Sequence, residues 1–340
     1  MSRVCCVTGA AGYIGSWLVK KLLDRGCIVH ATLRNLADEK KTALLRALPG
    51  AAERLVLFQA DMYDAATFEP AIAGCEFVFL VAAPMMHDIP AGRSKDATEG
   101  IVGAMRTILQ QCERSKTVRR VIHTGSVVAA APLKEDGQGF KRFVDESCWT
   151  PLNLSYGYAS NEVLDAYVSS KTLSEKELLR YNDSPGKAFE VVTLLCGLVG
   201  GDTLLPDVPG SIRSVVSPLT GDETWHGGLK FMQALLGAVP LVHVDDVCEA
   251  HAFCMERPAP VAGRFLCAAG YPNMRGIVDH YCRKHPELKL RIKEVAGEGV
   301  RVQPATDDRS KLVDMGFKYR HGVEEVIDGG VECAKRLGLL

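Results

Sequence analysis

The chain has 340 residues, 47% of them hydrophobic and 24% charged, with 40 Lys and Arg against 41 Asp and Glu. That composition excludes a disordered or fibrous chain, and the charge balance leaves no basic excess with which to hold a nucleic-acid backbone. The longest apolar run, Phe77 to Met86, contains Pro84 and is too short to cross a bilayer, so no membrane insertion is expected.

From the N-terminus, Arg3–Thr8 reads as a buried strand ending in Thr8-Gly9-Ala10-Ala11-Gly12-Tyr13-Ile14-Gly15. Glycines at 9, 12 and 15 suit a tight turn, backbone approach to a pyrophosphate and close helix–strand packing. Ser16–Arg25 follows as an amphipathic helix, Leu18, Leu22 and Leu23 inward and Lys20, Lys21, Asp24 and Arg25 outward. Its N-terminus offers N–H groups and a positive dipole end to phosphates, which puts Tyr13 and Ile14 with the glycines at the cofactor. Ile28–Leu33 is the second strand. A chain that binds NAD usually closes this strand with Asp or Glu for the ribose hydroxyl. Here it ends at Arg34, nineteen residues after Gly15, with Lys40 and Lys41 beyond. A guanidinium matches a 2′-phosphate in a two-point geometry, so Arg34 predicts NADP(H); the bland alternative is a solvated arginine.

The third strand, Arg54–Gln59, leads to Asp61 and Met62. Asp61 is equally suited to accept a hydrogen bond from an adenine amino group or to close an ordinary turn. Phe77–Ala82 ends in Val81 and Ala82, small enough for a cofactor to approach. Gly100–Ser115 has Ile101, Met105, Ile108, Leu109 and Cys112 at helical spacing. Arg120–Thr124 is the fifth strand, which brings Thr124 and Ser126 to the edge where ligands of such sheets bind. A helix follows from about Asn161 to Tyr181, then a strand over Glu190–Val199. Gly200–Gly228 is dense in Gly, Pro, Ser and Asp and carries no regular element in this reading. Leu241–Val244 and Arg264–Ala268 read as strands, and Asp245–Met255, Met274–Lys284 and Gly322–Leu337 as helices. The fold expected is α/β, a Rossmann-type doubly wound parallel sheet with a smaller mixed C-terminal substrate lobe. Residues 1–200, with strands returning near 241–270, would form the NADP-binding domain and residues 201–340 the substrate lobe.

Twelve cysteines form no C-x-x-C pair, and none of the nine histidines falls in H-E-x-x-H. Cys5, Cys6, Cys27, Cys75, Cys196 and Cys267 lie in or beside apolar runs, as reduced core thiols do, so no metal and a cytoplasmic location are expected. The start, Met1 to Cys5, leaves no room for a signal peptide in this reading.

Tyr167-Val168-Ser169-Ser170-Lys171 places a phenol and an ammonium at i and i+4, on one face of the predicted helix. Hydride transfer to a carbonyl carbon builds charge on oxygen that must be protonated. A phenol ordinarily titrates near ~10, and a neighbouring ammonium lowers that value toward working pH. Lys171 could also hold the nicotinamide ribose, while Ser126 orients the substrate oxygen. The structural alternative is a surface Tyr–Lys pair and a capping serine.

The G-x-x-G-x-x-G spacing and Y-x-x-x-K resemble the short-chain dehydrogenase/reductase superfamily. Further stretches resemble the plant dihydroflavonol 4-reductase and anthocyanidin reductase group of its extended branch, including a flavanone 4-reductase-like character. They include Gly15-Ser16-Trp17-Leu18-Val19, Ala31-Thr32-Leu33-Arg34, Asp145-Glu146-Ser147-Cys148-Trp149, Ser217-Pro218-Leu219-Thr220-Gly221 and Val242-His243-Val244-Asp245-Asp246. The resemblance implies Ser126, Tyr167 and Lys171 as the triad, with Arg34 and Lys41 on the 2′-phosphate. Ala131 stands where dihydroflavonol reductases usually carry Asn or Asp, and Cys196-Gly197 replaces their Pro-Thr.

Between Leu204 and Val244 the cations are Arg213 and Lys230, beside several flat apolar groups, which suits a neutral polyphenol. Met85, Ala131, Leu205, Ile212, Trp225 and Phe231 are the candidate substrate contacts, each as able to be core. The activity expected is NADPH-dependent reduction of a flavonoid 4-ketone, with anthocyanidin reduction as the alternative. A cinnamoyl-CoA reductase or nucleotide-sugar epimerase would need more cations for phosphates. A non-catalytic NADP sensor would have no use for Tyr167.

Overall fold

The structure is a computed structural model describing residues 2–82, 94–134, 139–141, 143–152, 162–258, 260–293, 303–304 and 310–340. The strands are β1 (Val4–Val7), β2 (Ile28–Leu33), β3 (Leu55–Gln59), β4 (Phe77–Leu80), β5 (Arg120–Ser126) and β6 (Phe143–Val144). They continue with β7 (Glu190–Cys196), β8 (Leu198–Gly200), β9 (Leu241–His243), β10 (Gly263–Cys267) and β11 (Gln303–Pro304). The helices are α1 (Tyr13–Asp24), α2 (Glu39–Arg46), α3 (Ala51–Arg54), α4 (Glu69–Ile72), α5 (Ser94–Ser115) and α6 (Glu162–Arg180). After them come α7 (Gly210–Thr220), α8 (Glu223–Leu236), α9 (Val244–Glu256), α10 (Met274–Lys284), α11 (Lys311–Asp314) and α12 (Val323–Arg336).

Seven strands form one sheet in the order β10-β7-β5-β4-β1-β2-β3. β1 pairs in parallel with β2 and β4, β2 with β3, and β4 with β5. This is the doubly wound arrangement, in which the chain runs from β1 out to β2 and β3 on one side and then returns to β4 and β5 on the other. Strand order reverses at β1, and such sheets bind their ligands beyond the carboxyl ends of the strands at that point. The β4 strand is buried along its length, as expected for a strand covered on both faces. Ile101, Met105 and Ile108 of α5, Leu178 of α6 and Phe68 close over β4 and β5 as one apolar cluster.

The chain divides into two compact units. One is Met1–Gly125, Glu162–Leu194 and Cys248–Arg264; the other is Ser126–Asn161, Leu195–Val247 and Phe265–Leu340. In the second unit β8 pairs in parallel with β9, β6 with β11, and α12 packs against α7 and the β8–β9 pair.

Two helices occupy the stretch expected to be irregular. In α7 the residues Ile212, Val215, Val216 and Leu219 fall on one buried face, and Pro218 is tolerated near the helix end, where its carbonyl accepts from the Arg291 and Ile292 N–H groups. Gly221, at φ 77°, then reverses the chain, and Asp222 caps α8 by accepting from the N–H groups of Thr224 and Trp225. The helical spacing was present in the sequence but masked by Gly, Pro and Ser, which here serve as turn and cap rather than as loop.

Candidate functional site

In the first unit, Gly9 adopts φ +65°, open to glycine at little cost, and a Cβ there would lie 2.9 Å from Cα of Ala82. Thr8 ties the ends of β1 and β4 together: its N–H donates to Phe79 O, and its hydroxyl accepts from the N–H groups of Val81 and Ala82, each at 3.0 Å. Ala10 N–H donates to Thr32 O, which fixes the turn to β2 as well. At Gly15 a Cβ would stand 2.2 Å from Gly9 O, so this helix start can pack against the turn only as glycine. Gly12 is the N-cap of α1, extended at φ −81° and ψ 177°, and no side chain caps the helix. The first-turn N–H groups of a helix have no partner within it. A helix start of this kind, at the strand-order reversal, fits a pyrophosphate. Tyr13 and Ile14, both half-buried, lead into α1.

Arg34 follows β2 directly and is exposed. Lys41 lies on α2, its Nζ 3.1 Å from Asp38 Oδ2, while Asp38 also caps that helix by accepting from the Lys41 N–H. Arg34 directly after β2, with Lys41 on the helix that follows and no carboxylate at position 34, fits a phosphorylated ribose better than a bare one. Asp61 sits just past β3; its Oδ1 accepts from the Tyr63 N–H at 3.0 Å. Met62 is half-buried against the apolar cluster over β4. Thr124 is buried, its hydroxyl 2.8 Å from His251 Nε2.

Tyr167 and Lys171 lie one turn apart on α6, both half-buried. One turn further is Glu175, with no exposed surface. Its Oε1 accepts from Arg264 Nε at 2.8 Å and from the Thr193 hydroxyl at 2.6 Å, and its Oε2 accepts from Arg264 at 3.2 Å. Burial pushes the Glu175 carboxyl up, opposed by the charge and hydrogen bonds of Arg264, the Thr193 bond and the Lys171 charge. The helix is thus pinned to β7 and β10 just below the Tyr–Lys pair. On β5, burial holds the His123 imidazole well below its ordinary value, and the charges of Lys171 and His251 act in the same direction. Glu175, Arg264, His123 and His251 were not among the predicted site residues. The i+8 position of Glu175 on the Tyr167 face was the available signal.

In the second unit, Ser126 is the last residue of β5 and the N-cap of a short 3-10 turn, Val127–Ala130. Its Oγ accepts from the Val128 N–H at 3.4 Å. Thr150, absent from the predicted set, ties that turn: its hydroxyl donates to Val128 O at 2.5 Å and accepts from the Ala131 N–H at 2.8 Å. Ala131 is buried. Ile212 and Phe231 are buried, while Leu205 is half-buried. The Trp225 ring lies over Gly210, where a Cβ would come within 2.6 Å of it. Met85 lies outside the described residues.

Among the described residues no helix is long and apolar enough to cross a membrane. All twelve cysteines are free, and only Cys282 is exposed.

Residues 5–267 match the NAD dependent epimerase/dehydratase family. An anthocyanidin reductase, (2S)-flavan-3-ol-forming, of Vitis vinifera is 34% identical over 341 residues, covering 99% of this chain and 97% of the relative. A bifunctional dihydroflavonol 4-reductase/flavanone 4-reductase of Malus domestica is 32% identical, covering 100% and 92%. Among solved structures, vestitone reductase from alfalfa (Medicago sativa) is similar with a TM-score of 0.79 and 30% identity over 99% of both chains.

Proposed function

We propose, from the premise that the chain belongs to the NAD dependent epimerase/dehydratase family, that it is an NADPH-dependent reductase of a flavonoid 4-ketone, a flavanone or dihydroflavonol. The observation that carries this reading is the Tyr167–Lys171 pair on α6, held over the Glu175–Arg264 anchor in the unit that also carries the glycine turn. Gly9, Gly12, Tyr13, Ile14 and Gly15 would receive the pyrophosphate, with Arg34 and Lys41 on the 2′-phosphate. Asp61, Met62, Val81, Ala82 and Thr124 would line the nucleotide. When bound, reduced NADP supplies a hydride. Ser126 orients the substrate oxygen through its hydroxyl, and Tyr167 donates the proton that completes the alcohol. Lys171 favours the phenolate left behind and so keeps the proton exchangeable at neutral pH.

In this reading residues 1–200, with the strands near 241–270, serve the cofactor, and residues 201–340 the substrate. Of the two cations between Leu204 and Val244, Arg213 already donates to Val208 O. That leaves little charge for a phosphorylated substrate and favours a neutral polyphenol, with Leu205, Trp225 and Phe231 as its apolar partners. We place the protein in the cytoplasm on the strength of its buried free thiols. The Vitis relative supports a second reading, reduction of an anthocyanidin to a flavan-3-ol.

Incubation with NADPH or NADH and naringenin, dihydroquercetin or cyanidin, with the products resolved by chromatography, tests both. A flavan-4-ol or leucoanthocyanidin formed preferentially with NADPH is expected. Turnover of cyanidin alone would replace the first reading by the second, and turnover of none would overturn both.

A further inference from the structure

Two imidazoles of the second unit converge on one carboxylate oxygen. His280, in the last turns of α10, and His285, just past its end, each place Nε2 2.7 Å from Oδ1 of Asp328 on α12. The three ligating atoms lie within 4.8 Å of one another. Both rings are buried, whereas the Asp328 side chain retains 31% of its exposure. We propose that His280 Nε2, His285 Nε2 and Asp328 Oδ1 form a binding site for one divalent cation of the zinc class, with water completing the coordination. The bound ion clamps α10 to α12.

Four lines of chemistry converge on this assignment. Two imidazoles and one carboxylate are a common zinc ligand set, and such three-residue sets leave the fourth position to solvent. The histidines are separated by four residues, Tyr281 to Lys284, within the spacing typical of paired zinc histidines. Each ring also has a carboxylate on its far side: Glu324 Oε1 lies 3.7 Å from His280 Nδ1, and Glu287 Oε1 lies 3.8 Å from His285 Nδ1. Both separations exceed a hydrogen bond, and a shift of about 0.5 Å would let either carboxylate accept the ring N–H, the arrangement that fixes the tautomer of metal-ligating histidines and makes the ligating nitrogen more basic. Finally, the open side of Asp328 supplies an entry path and the freedom to adjust.

The adjustment is small and balanced in protons. Separations of 2.7 Å are those of two N–H···O hydrogen bonds, with the ring protons on Nε2. Zinc bonds of ~2.0 Å in a tetrahedron set neighbouring ligand atoms about 3.3 Å apart, so Asp328 withdraws by roughly half an ångström. Each ring proton moves from Nε2 to Nδ1, facing Glu324 or Glu287. Arg283, 3.4 Å from His280 Nδ1, keeps Glu324 Oε1 as its acceptor at 2.7 Å.

The test is calorimetric titration of the chelator-treated full chain with Zn²⁺, followed by thermal unfolding with and without the ion, with Mg²⁺ as the hard-cation control. The site predicts one equivalent of Zn²⁺ per chain, a rise of several degrees in Tm, and no response to Mg²⁺. Asp328→Asn and His285→Gln abolish the binding, and Glu324→Gln weakens it about tenfold or more. Cys282 is an exposed thiol beside the site, so the titration is repeated in Cys282→Ser, which retains the binding. Absence of saturable Zn²⁺ binding overturns the proposal, as does binding that survives Asp328→Asn and His285→Gln or is lost in Cys282→Ser. Should a variant unfold, anomalous diffraction from zinc-soaked wild-type crystals decides: a peak between the three ligands supports the site, and its absence there overturns it.

Discussion

Tyr167 and Lys171 owe their common face to helical geometry alone, and that much is written in their spacing. What makes the pair a rigid device is Glu175, whose partners Arg264 and Thr193 are 89 and 18 residues away in sequence. A carboxylate with no exposed surface is tolerable only when its charge and hydrogen bonds are satisfied, and the bidentate guanidinium with one hydroxyl does so. Thr150 acts in the same way on the turn after Ser126, and no motif in the sequence marks it. Tyr167→Phe removes the proposed proton donor. Steady-state turnover of the accepted ketone is expected to fall about 10²–10⁴-fold, with NADPH affinity by fluorescence titration changed only a few-fold. Unchanged turnover would remove Tyr167 from the chemistry.

At the scale of elements, the glycines separate into those that packing demands and those it does not. Gly15 begins the buried face of α1, and an added methyl would meet Gly9 O at 2.2 Å, so Gly15→Ala must open the turn. Overpacking of this kind costs about 1–3 kcal/mol, and the displaced turn should raise the KM for NADPH while lowering Tm. Gly103, in α5, has nothing within 4 Å of an added Cβ. Gly103→Ala should therefore be neutral or stabilise by up to about 1 kcal/mol, since alanine is the better helix former. Equal Tm and KM effects from the two substitutions, measured side by side, would contradict the close-packed turn. The strand Ile28–Leu33, the strand read over Phe77–Ala82 and found over Phe77–Leu80, and the helix Met274–Lys284 were legible because apolar runs and periodicity are local. Helix α7 was not, because the same Gly and Pro residues serve loops and helix ends alike.

Across the whole molecule, one buried and one half-buried histidine, His123 and His243, set a stability that depends on pH. Burial, reinforced by the charge of His321, lowers His243 to about 4, and its Nδ1 accepts from the Asp245 N–H. His123 is also held well below its ordinary value, by burial first. An unfolded histidine titrates near ~6.5. Below that pH the unfolded chain takes up protons that the native rings refuse, so stability is complete above about 6.5 and falls as pH drops toward 4. His243 alone should account for roughly 2 kcal/mol of this loss, allowing for its partial exposure. Urea denaturation at pH 7.5, 6.5, 5.5 and 4.5 should show the midpoint falling steadily through the acid half of that series. A flat profile would mean that the two rings are not held neutral.

The sequence by itself determined the alternating α/β order, the glycine turn after the first strand, the cations after the second and the Tyr–Lys helix face. Each depends on periodicity or spacing within about twenty residues. Only the tertiary structure decided how segments from the middle of the chain are shared between two units, which buried charges anchor α6, and which histidines meet Asp328. Those contacts join residues that are distant along the chain. Their energies come from burial and charge pairing, which exist only once the chain has folded.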